Sequence, residues 1–139
     1  MTSRTRTALL LVLVAGVMTV RWTHLGAQQP ARIAFTDEQA TQGKQAYAQK
    51  CASCHGDHLD DGQFAPVLRG LDFRNRWGGR QAIDLFRYMS DRMPPGQTGS
   101  VTKNEFVTIL AFLLRESGVP AGDPALTAEA ADLNPPLIP

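Results

Sequence analysis

The chain has 139 residues, 14 basic and 13 acidic side chains, and a formal net charge of +1. This length is typical of one domain. The balanced charge excludes the basic excess that indicates a nucleic-acid-binding protein, so no nucleic-acid partner is expected.

The amino terminus carries the features of an export signal. Two arginines precede an apolar run at residues 8–20, and Leu25-Gly26-Ala27 offers a cleavage site of suitable composition. Because the run is too short to cross a bilayer comfortably, we predict a signal peptide at residues 1–27 and a periplasmic protein with no membrane span after cleavage. If the segment is not cleaved, Arg21 would flank a membrane anchor instead.

The first helix is marked by the residues at its start. Thr36 suits the N-cap position, and Gln39, three residues later, completes a capping box. The helix is predicted from about Asp37 to Lys50, where it leads directly into the most informative stretch of the chain.

That stretch is Cys51-Ala52-Ser53-Cys54-His55, which contains both cysteines of the chain. Its spacing is typical of covalent haem attachment. Two thiols three residues apart reach neighbouring vinyl groups on one edge of a porphyrin, and the histidine that follows points toward the iron as the proximal ligand. The motif therefore predicts one haem c attached through Cys51 and Cys54, with His55 bound to the iron.

Three other interpretations of this motif are weaker. A thioredoxin-like redox pair needs a βαβ context, and no strand pattern flanks the site. A structural zinc site would have to use His58 as its fourth ligand, whereas such sites usually separate their two ligand pairs by about a dozen residues or more. A disulfide in an exported protein would leave the adjacent His55 as a coincidence.

The loop after the motif offers an acceptor for the histidine ring. A metal-bound histidine normally donates its other ring N–H to a fixed acceptor, and the carbonyl of Pro66, in a loop that must pass the proximal side, is the candidate. Leu68 is a candidate wall of the haem pocket. His58 lies too close to His55 in sequence to reach the other face of the ring, so we interpret it as an exposed loop residue.

Residues 71–79 contain Arg74, Arg76 and Trp77. The arginines would face either the haem propionates or solvent. The Trp77 indole would either donate to a propionate or fill the core, and the sequence does not separate these roles.

The next helical pattern covers residues 80–91, and its apolar stripe includes Met89. Met93-Pro94-Pro95-Gly96 ends the helix, because a residue before proline avoids helical backbone. A methionine at the head of a loop held extended by prolines suits a thioether ligand to iron. We therefore predict Met93 as the sixth ligand, with Met89 as its rival.

The last strong helix begins after Thr102, with Glu105 as the capping-box partner. Its apolar stripe is wide and includes Phe112, and Gly118 fits the position just past its end.

With these residues in place, the chain resembles the class I c-type cytochromes over about residues 35–122. The resemblance is carried by Gly43 and Tyr47, the Cys51–His55 motif, Pro66-Val-Leu-Arg-Gly70, Met93-Pro94 and Leu110-Ala-Phe-Leu-Leu114. It implies an all-α fold around one covalent haem c, with the first and last helices crossing.

In that family the crossing brings a glycine and an aromatic residue of the first helix against an aromatic residue of the last. The corresponding residues here are Gly43, Tyr47 and Phe112. The motif that contains Pro66 also makes Arg69 a candidate pocket residue. The cytochrome domain is expected at residues 36–120, between a leader at residues 28–35 and a Pro/Ala-rich, mostly irregular tail at residues 121–139.

A narrower likeness concerns the partner. Trp77-Gly78-Gly79, Met93-Pro-Pro-Gly96 and Ser117-Gly-Val-Pro-Ala-Gly122 are similar to haem domains found with quinoprotein alcohol dehydrogenases. The likeness implies a quinoprotein dehydrogenase as electron donor, with a terminal oxidase or another cytochrome as acceptor.

The expected function is transient electron transfer without catalysis of its own, since two protein ligands leave the iron no position for substrate. One alternative is an electron-transfer subunit of a larger dehydrogenase complex. The other is a haem enzyme or gas sensor with an open distal site.

Overall fold

The fold is made of helices joined by loops. The structure is a computed structural model that describes residues 32–138, so the predicted signal peptide lies outside the described residues. The described part contains six helices: α1 Asp37–Lys50, α2 Ala52–His55, α3 Gly70–Trp77, α4 Ala82–Arg92, α5 Lys103–Glu116 and α6 Ala130–Leu133. The predicted all-α class is confirmed. None of these helices is both long enough and apolar enough to cross a bilayer.

The ends of the two longest helices follow from their capping residues. At α1, the Thr36 hydroxyl accepts from the Gln39 backbone N–H at 3.2 Å, and the Gln39 side chain accepts from the Thr36 N–H at 3.2 Å. At α5, Thr102 and Glu105 make the same reciprocal pair, at 3.2 and 2.7 Å. Each box satisfies backbone donors that the first helical turn leaves without partners, which explains why both predicted helix starts are confirmed.

Helices α1 and α5 cross closely, and this contact is the most extensive between any two elements. A Cβ placed on Gly43 would overlap the backbone carbonyl of Thr108, so only glycine lets the two helices approach this far. Beside this point the rings of Tyr47 and Phe112 pack at 5.5 Å between centroids with a tilt of 51°. The predicted crossing is confirmed, and the helix that crosses α1 is α5, the last long helix.

Two shorter helices, α3 and α4, lie between the attachment motif and α5 in the sequence. The sequence patterns did not predict α3, whose buried residues are Phe73 and Trp77. The predicted helical stripe forms the buried face of α4, which includes Met89 and packs against α5. A short turn over residues 78–81 joins α3 to α4.

The carboxyl-terminal segment requires a correction. Residues 121–139 were expected to form a tail outside the domain, but the described part of the segment packs into it. Four of its apolar side chains are at most 5% exposed, and they belong to the same core as the helices: Leu126, Leu133, Leu137 and Ile138. The proline- and alanine-rich composition obscured these widely spaced anchors, because they follow neither a helical nor a strand period.

Candidate haem-binding site

The attachment motif sits on a tight helical turn at the end of α1. The Cys51 N–H donates to the Tyr47 carbonyl at 2.8 Å and so still belongs to α1. The N–H groups of Cys54 and His55 then both donate to the Cys51 carbonyl, at 3.1 and 3.0 Å, which forms the single turn of α2. This turn brings two free thiols and one imidazole to the same cavity.

The cavity has a volume of about 270 Å³ and a predominantly apolar lining. Its walls come from the motif, the following loop, α3, α4, the Met93 loop and α5. The lining includes these residues that the sequence had singled out: Tyr47, Cys51, Cys54, His55, Pro66, Leu68, Arg76, Trp77, Met89 and Met93. An apolar cavity next to two thiols fits a flat, largely apolar cofactor attached at one edge.

The orientation of the histidine is fixed by the loop that follows it. The Pro66 carbonyl lies 2.8 Å from Nδ1 of His55. A carbonyl can only accept a hydrogen bond, so Nδ1 is the donor, which leaves Nε2 available as a metal ligand. The geometry is the one that the sequence analysis proposed for Pro66.

The same loop passes very close to the motif. The Tyr47 hydroxyl donates to the Gly56 carbonyl at 2.6 Å, and a Cβ on Gly62 would overlap the Cys54 carbonyl. Burial raises the pKa of Tyr47 well above its ordinary value, and the neighbouring Cys51 makes a smaller contribution in the same direction. The hydroxyl therefore stays protonated and can donate. Sequence reasoning missed Gly62, because a loop glycine gives no signal of the backbone that it lets approach.

The chemistry of the thiols also bears on the alternatives. Burial, with a smaller contribution from Cys54, raises the pKa of the Cys51 thiol to about 11. At neutral pH this thiol stays protonated, which disfavours the thiolate attack that redox-active cysteine pairs use. Within residues 32–138, no three His, Cys, Asp or Glu side chains are grouped to hold a metal ion directly. The donor set fits covalent haem attachment better than a zinc site or a redox pair.

Both candidate sixth ligands reach the cavity. Met89 lies on the buried face of α4, with 8% of its surface exposed, and Met93 follows the last turn of the helix. The Met93 N–H donates to the Met89 carbonyl at 2.9 Å, so the two residues are one helical turn apart. The assignment of Met93 stays a prediction.

An arginine and two aromatic residues form one wall of the cavity, here called the arginine–aromatic wall: Arg76, Trp77 and Tyr88. The two rings are 5.4 Å apart, and the guanidinium of Arg76 lies 5.7 Å from Trp77 and 5.5 Å from Tyr88. Trp77 is 5% exposed. No sequence pattern pointed to Tyr88.

Arg69 does not belong to the lining, which differs from the expectation. Its Nε lies 3.3 Å from Oδ2 of Asp60, and both side chains of this ion pair are exposed. His58 is also exposed, and its backbone N–H donates to the Asp61 carboxylate at 2.8 Å. Arg74 is held elsewhere, because it donates to the Ser117 carbonyl at 2.8 Å. Arg76 is therefore the arginine of this region that lines the cavity.

The family of the chain follows from comparison with known proteins. A family model described as "Cytochrome C oxidase, cbb3-type, subunit III" matches residues 38–113, which is more than half of the chain. The chain belongs to this family. It is thus a c-type cytochrome domain, and the resemblance to class I c-type cytochromes is confirmed. Membership implies haem c with its iron as the cofactor, and electron transport as the general role.

Two curated relatives match about half of the chain. The thiosulfate dehydrogenase of Psychrobacter arcticus is 31% identical over 77 residues, which covers 50% of this chain and 24% of the relative. The thiosulfate dehydrogenase of Stutzerimonas stutzeri is 32% identical over 77 residues, covering 51% and 25%. The matched region is thus about a quarter of the length of these relatives.

A solved structure shows the same fold. The sulfane dehydrogenase SoxCD of Paracoccus pantotrophus matches with a TM-score of 0.51 and 23% identity, over 81% of this chain and 69% of that chain. At this identity the likeness concerns the fold of the cytochrome domain.

Proposed function

We propose that this cytochrome domain is a periplasmic carrier of single electrons with one covalently attached haem c. The observation that carries the proposal is the meeting of two free thiols and one oriented imidazole at a single apolar cavity. A chain with two cysteines, both used in this way, has thiols for one haem.

Five residues of the cavity have a defined task in this proposal. Cys51 and Cys54 attach the cofactor, and His55 presents Nε2 while Pro66 fixes its ring. The thioether sulfur of Met93 would be the second protein ligand of the iron. When bound, the haem supplies an iron that gains and loses one electron, and a methionine–histidine ligand set favours the reduced state.

The surroundings of the site support electron transfer over catalysis. The lining is mostly apolar, and His55 is the one histidine among the described residues of the lining. That arrangement lacks a second imidazole for peroxide chemistry, so the haem enzyme is the weaker hypothesis. Both candidate sixth ligands are present in the lining, which disfavours an open distal position.

Partners would meet the domain at the edge of the cavity near Cys54, which is exposed. Phe64 also lines the cavity and is 83% exposed, so an apolar side chain stands at its rim. Redox partners of this kind bind transiently through small surfaces, below about 1,200 Å².

A second candidate is an electron-transfer subunit of a larger dehydrogenase. It is favoured by the curated relatives, in which a similar domain makes up about a quarter of a protein named for a dehydrogenase activity. The electron donor would be a dehydrogenase for the free carrier and for the subunit alike. The relatives suggest an enzyme of sulfur compounds, whereas the sequence motifs suggest a quinoprotein.

Rapid mixing of the oxidised holoprotein with reduced dehydrogenases tests the proposal. We expect haem reduction within milliseconds to seconds by one donor class, and no binding of carbon monoxide to the untreated reduced protein. Stoichiometric carbon monoxide binding would contradict the carrier and support the enzyme or gas sensor. Co-purification of a stable dehydrogenase complex would favour the subunit over the free carrier.

A further inference from the structure

The C-terminal strap, defined as residues 119–138, lies beyond the family match, which ends at residue 113. It leaves the end of α5, runs across the domain and includes α6. The family core therefore does not account for what this segment does.

The strap is first anchored at the start of α1. The Gln39 side chain donates to the Leu126 carbonyl at 2.7 Å and accepts from the Leu126 N–H at 2.8 Å. The Gly122 N–H donates to the Phe35 carbonyl at 2.8 Å. This end is attached to the segment that begins the helical crossing.

The other end is anchored to the turn between α3 and α4. The Leu137 N–H donates to the Arg80 carbonyl at 2.8 Å, and the Gly79 N–H donates to the Ile138 carbonyl at 3.2 Å. The Ala82 N–H donates to the Pro135 carbonyl at 3.0 Å. Backbone hydrogen bonds on both sides of the turn thus fix its position.

This turn carries the arginine–aromatic wall. Trp77 is the last residue of α3 and directly precedes the turn. Tyr88 lies in α4, the helix that follows the turn. The guanidinium of Arg80, in the turn itself, stacks over Trp77 at 4.9 Å. A displacement of the turn would therefore move one wall of the cavity.

We propose that the C-terminal strap positions the arginine–aromatic wall and so keeps that side of the haem cavity closed to water and to foreign ligands. The inference rests on the proposed haem binding. The strap acts through the turn and the wall, so its residues are positioning residues.

The expected consequence concerns the potential and the accessibility of the iron. A surrounding that holds little water disfavours the more positively charged oxidised iron and therefore raises the reduction potential. A wall that is loosened admits water, which would lower the potential. It also gives small ligands such as imidazole a path to the oxidised iron.

Two matched variants of the holoprotein test the proposal: Leu137→Ala at the wall end and Leu126→Ala at the far end. Both leucines are nearly fully buried, at 1% and 3% exposure, and both substitutions remove the same atoms. We measure the midpoint potential and the affinity for imidazole at a temperature well below the melting midpoint of each variant. Amide hydrogen exchange at Gly79 and Ala82 reports on the turn.

We expect Leu137→Ala to lower the potential, to raise the imidazole affinity several-fold and to speed exchange at both amides. Leu126→Ala should leave all three at the wild-type values, and Leu137→Met, which keeps the volume, should restore them. Equal shifts in both alanine variants, or no shift in either, would overturn the proposal. If Leu137→Ala does not fold, Ile138→Val serves at the same end, with the same outcomes. Wild-type protein without covalent haem would instead refute the proposed function.

Discussion

The α1–α5 crossing and the cavity side of the domain are built in different ways. The crossing joins two regular helices, each of which starts at a capping box and buries a continuous face. The cavity side consists of the loop after the motif, the Met93 loop and the turn held by the C-terminal strap. The turn is fixed by a few long-range backbone hydrogen bonds, whereas the backbone hydrogen bonds of the two loops join residues close in sequence.

This difference separates stability from function. The crossing depends on close packing, and its residues contribute to the cavity mainly through Tyr47 and the inner face of α5. The cavity side supplies the side chains that would set the properties of the iron. Substitutions at the crossing should therefore change the free energy of unfolding, whereas substitutions on the cavity side should change spectra, potential and ligand access.

The largest effect is expected from Met93→Ala. Loss of the sulfur ligand should abolish the sulfur-to-iron charge-transfer band of the oxidised protein, lower the potential and open the reduced iron to carbon monoxide. The matched variant Met89→Ala should keep the band and lose about 2–5 kcal/mol of stability, as buried methionines do. A band that survives in Met93→Ala and disappears in Met89→Ala would show the assignment to be wrong.

The next effect tests the crossing. Alanine is normally better than glycine in a helix by about 1 kcal/mol, yet Gly43→Ala places a methyl group on the Thr108 carbonyl. We expect a loss of about 1–3 kcal/mol by overpacking, seen as a lower melting temperature, and Gly43→Leu should lose more. Gly122→Ala is the control, because its Cβ meets no atom within 4 Å. Equal melting curves for Gly43→Ala and Gly122→Ala would refute the close approach.

The same contrast explains what the sequence predicts. Capping boxes and an apolar stripe are local patterns, so α1 and α5 were accessible from the sequence, and their crossing followed from the family resemblance. The Cys51–His55 motif likewise specifies its chemistry within five residues. Tyr88 and the strap were missed because their roles arise from contacts between residues far apart in sequence. Such contacts leave no period or motif to recognise.

A smaller effect distinguishes two arginines. The sequence made Arg69 a candidate pocket residue, whereas the structure places Arg76 in the lining of the cavity. Arg76 lines the cavity and Arg69 does not. Removing a positive charge beside the haem favours the oxidised iron, so Arg76→Gln should lower the potential. An interaction of about 1 kcal/mol at an exposed edge corresponds to ~40 mV for one electron.

Arg69→Gln is the control, since its partner Asp60 forms an exposed ion pair worth at most about 1 kcal/mol of stability. Its potential should equal that of the wild type. A larger shift in Arg69→Gln than in Arg76→Gln would restore the sequence-based assignment of Arg69.

The smallest effect concerns pH and the start of α5. Two hydrogen bonds from Thr102 hold the pKa of Glu105 below its usual value. The bond from the Thr102 backbone has the larger effect, and the bond from its side chain has the smaller one. A carboxyl whose pKa is lowered on folding stabilises the protein above its unfolded pKa, and this contribution is lost as pH falls through the folded value. Glu105→Gln keeps the capping box but removes the titration. Urea unfolding from about pH 5 to about pH 2 should show a slightly smaller loss of stability in the variant, and an equal loss would contradict the capping role of the carboxylate.

The central claim is that Cys51 and Cys54 attach one haem covalently in this cavity. The most direct measurement is the mass of the protein after extraction with acidified acetone, compared with that of Cys51→Ala/Cys54→Ala. We expect the wild-type mass to include one haem that resists extraction and the double variant to carry no covalent haem. Extractable haem, or a wild-type mass equal to that of the bare polypeptide, would contradict the account.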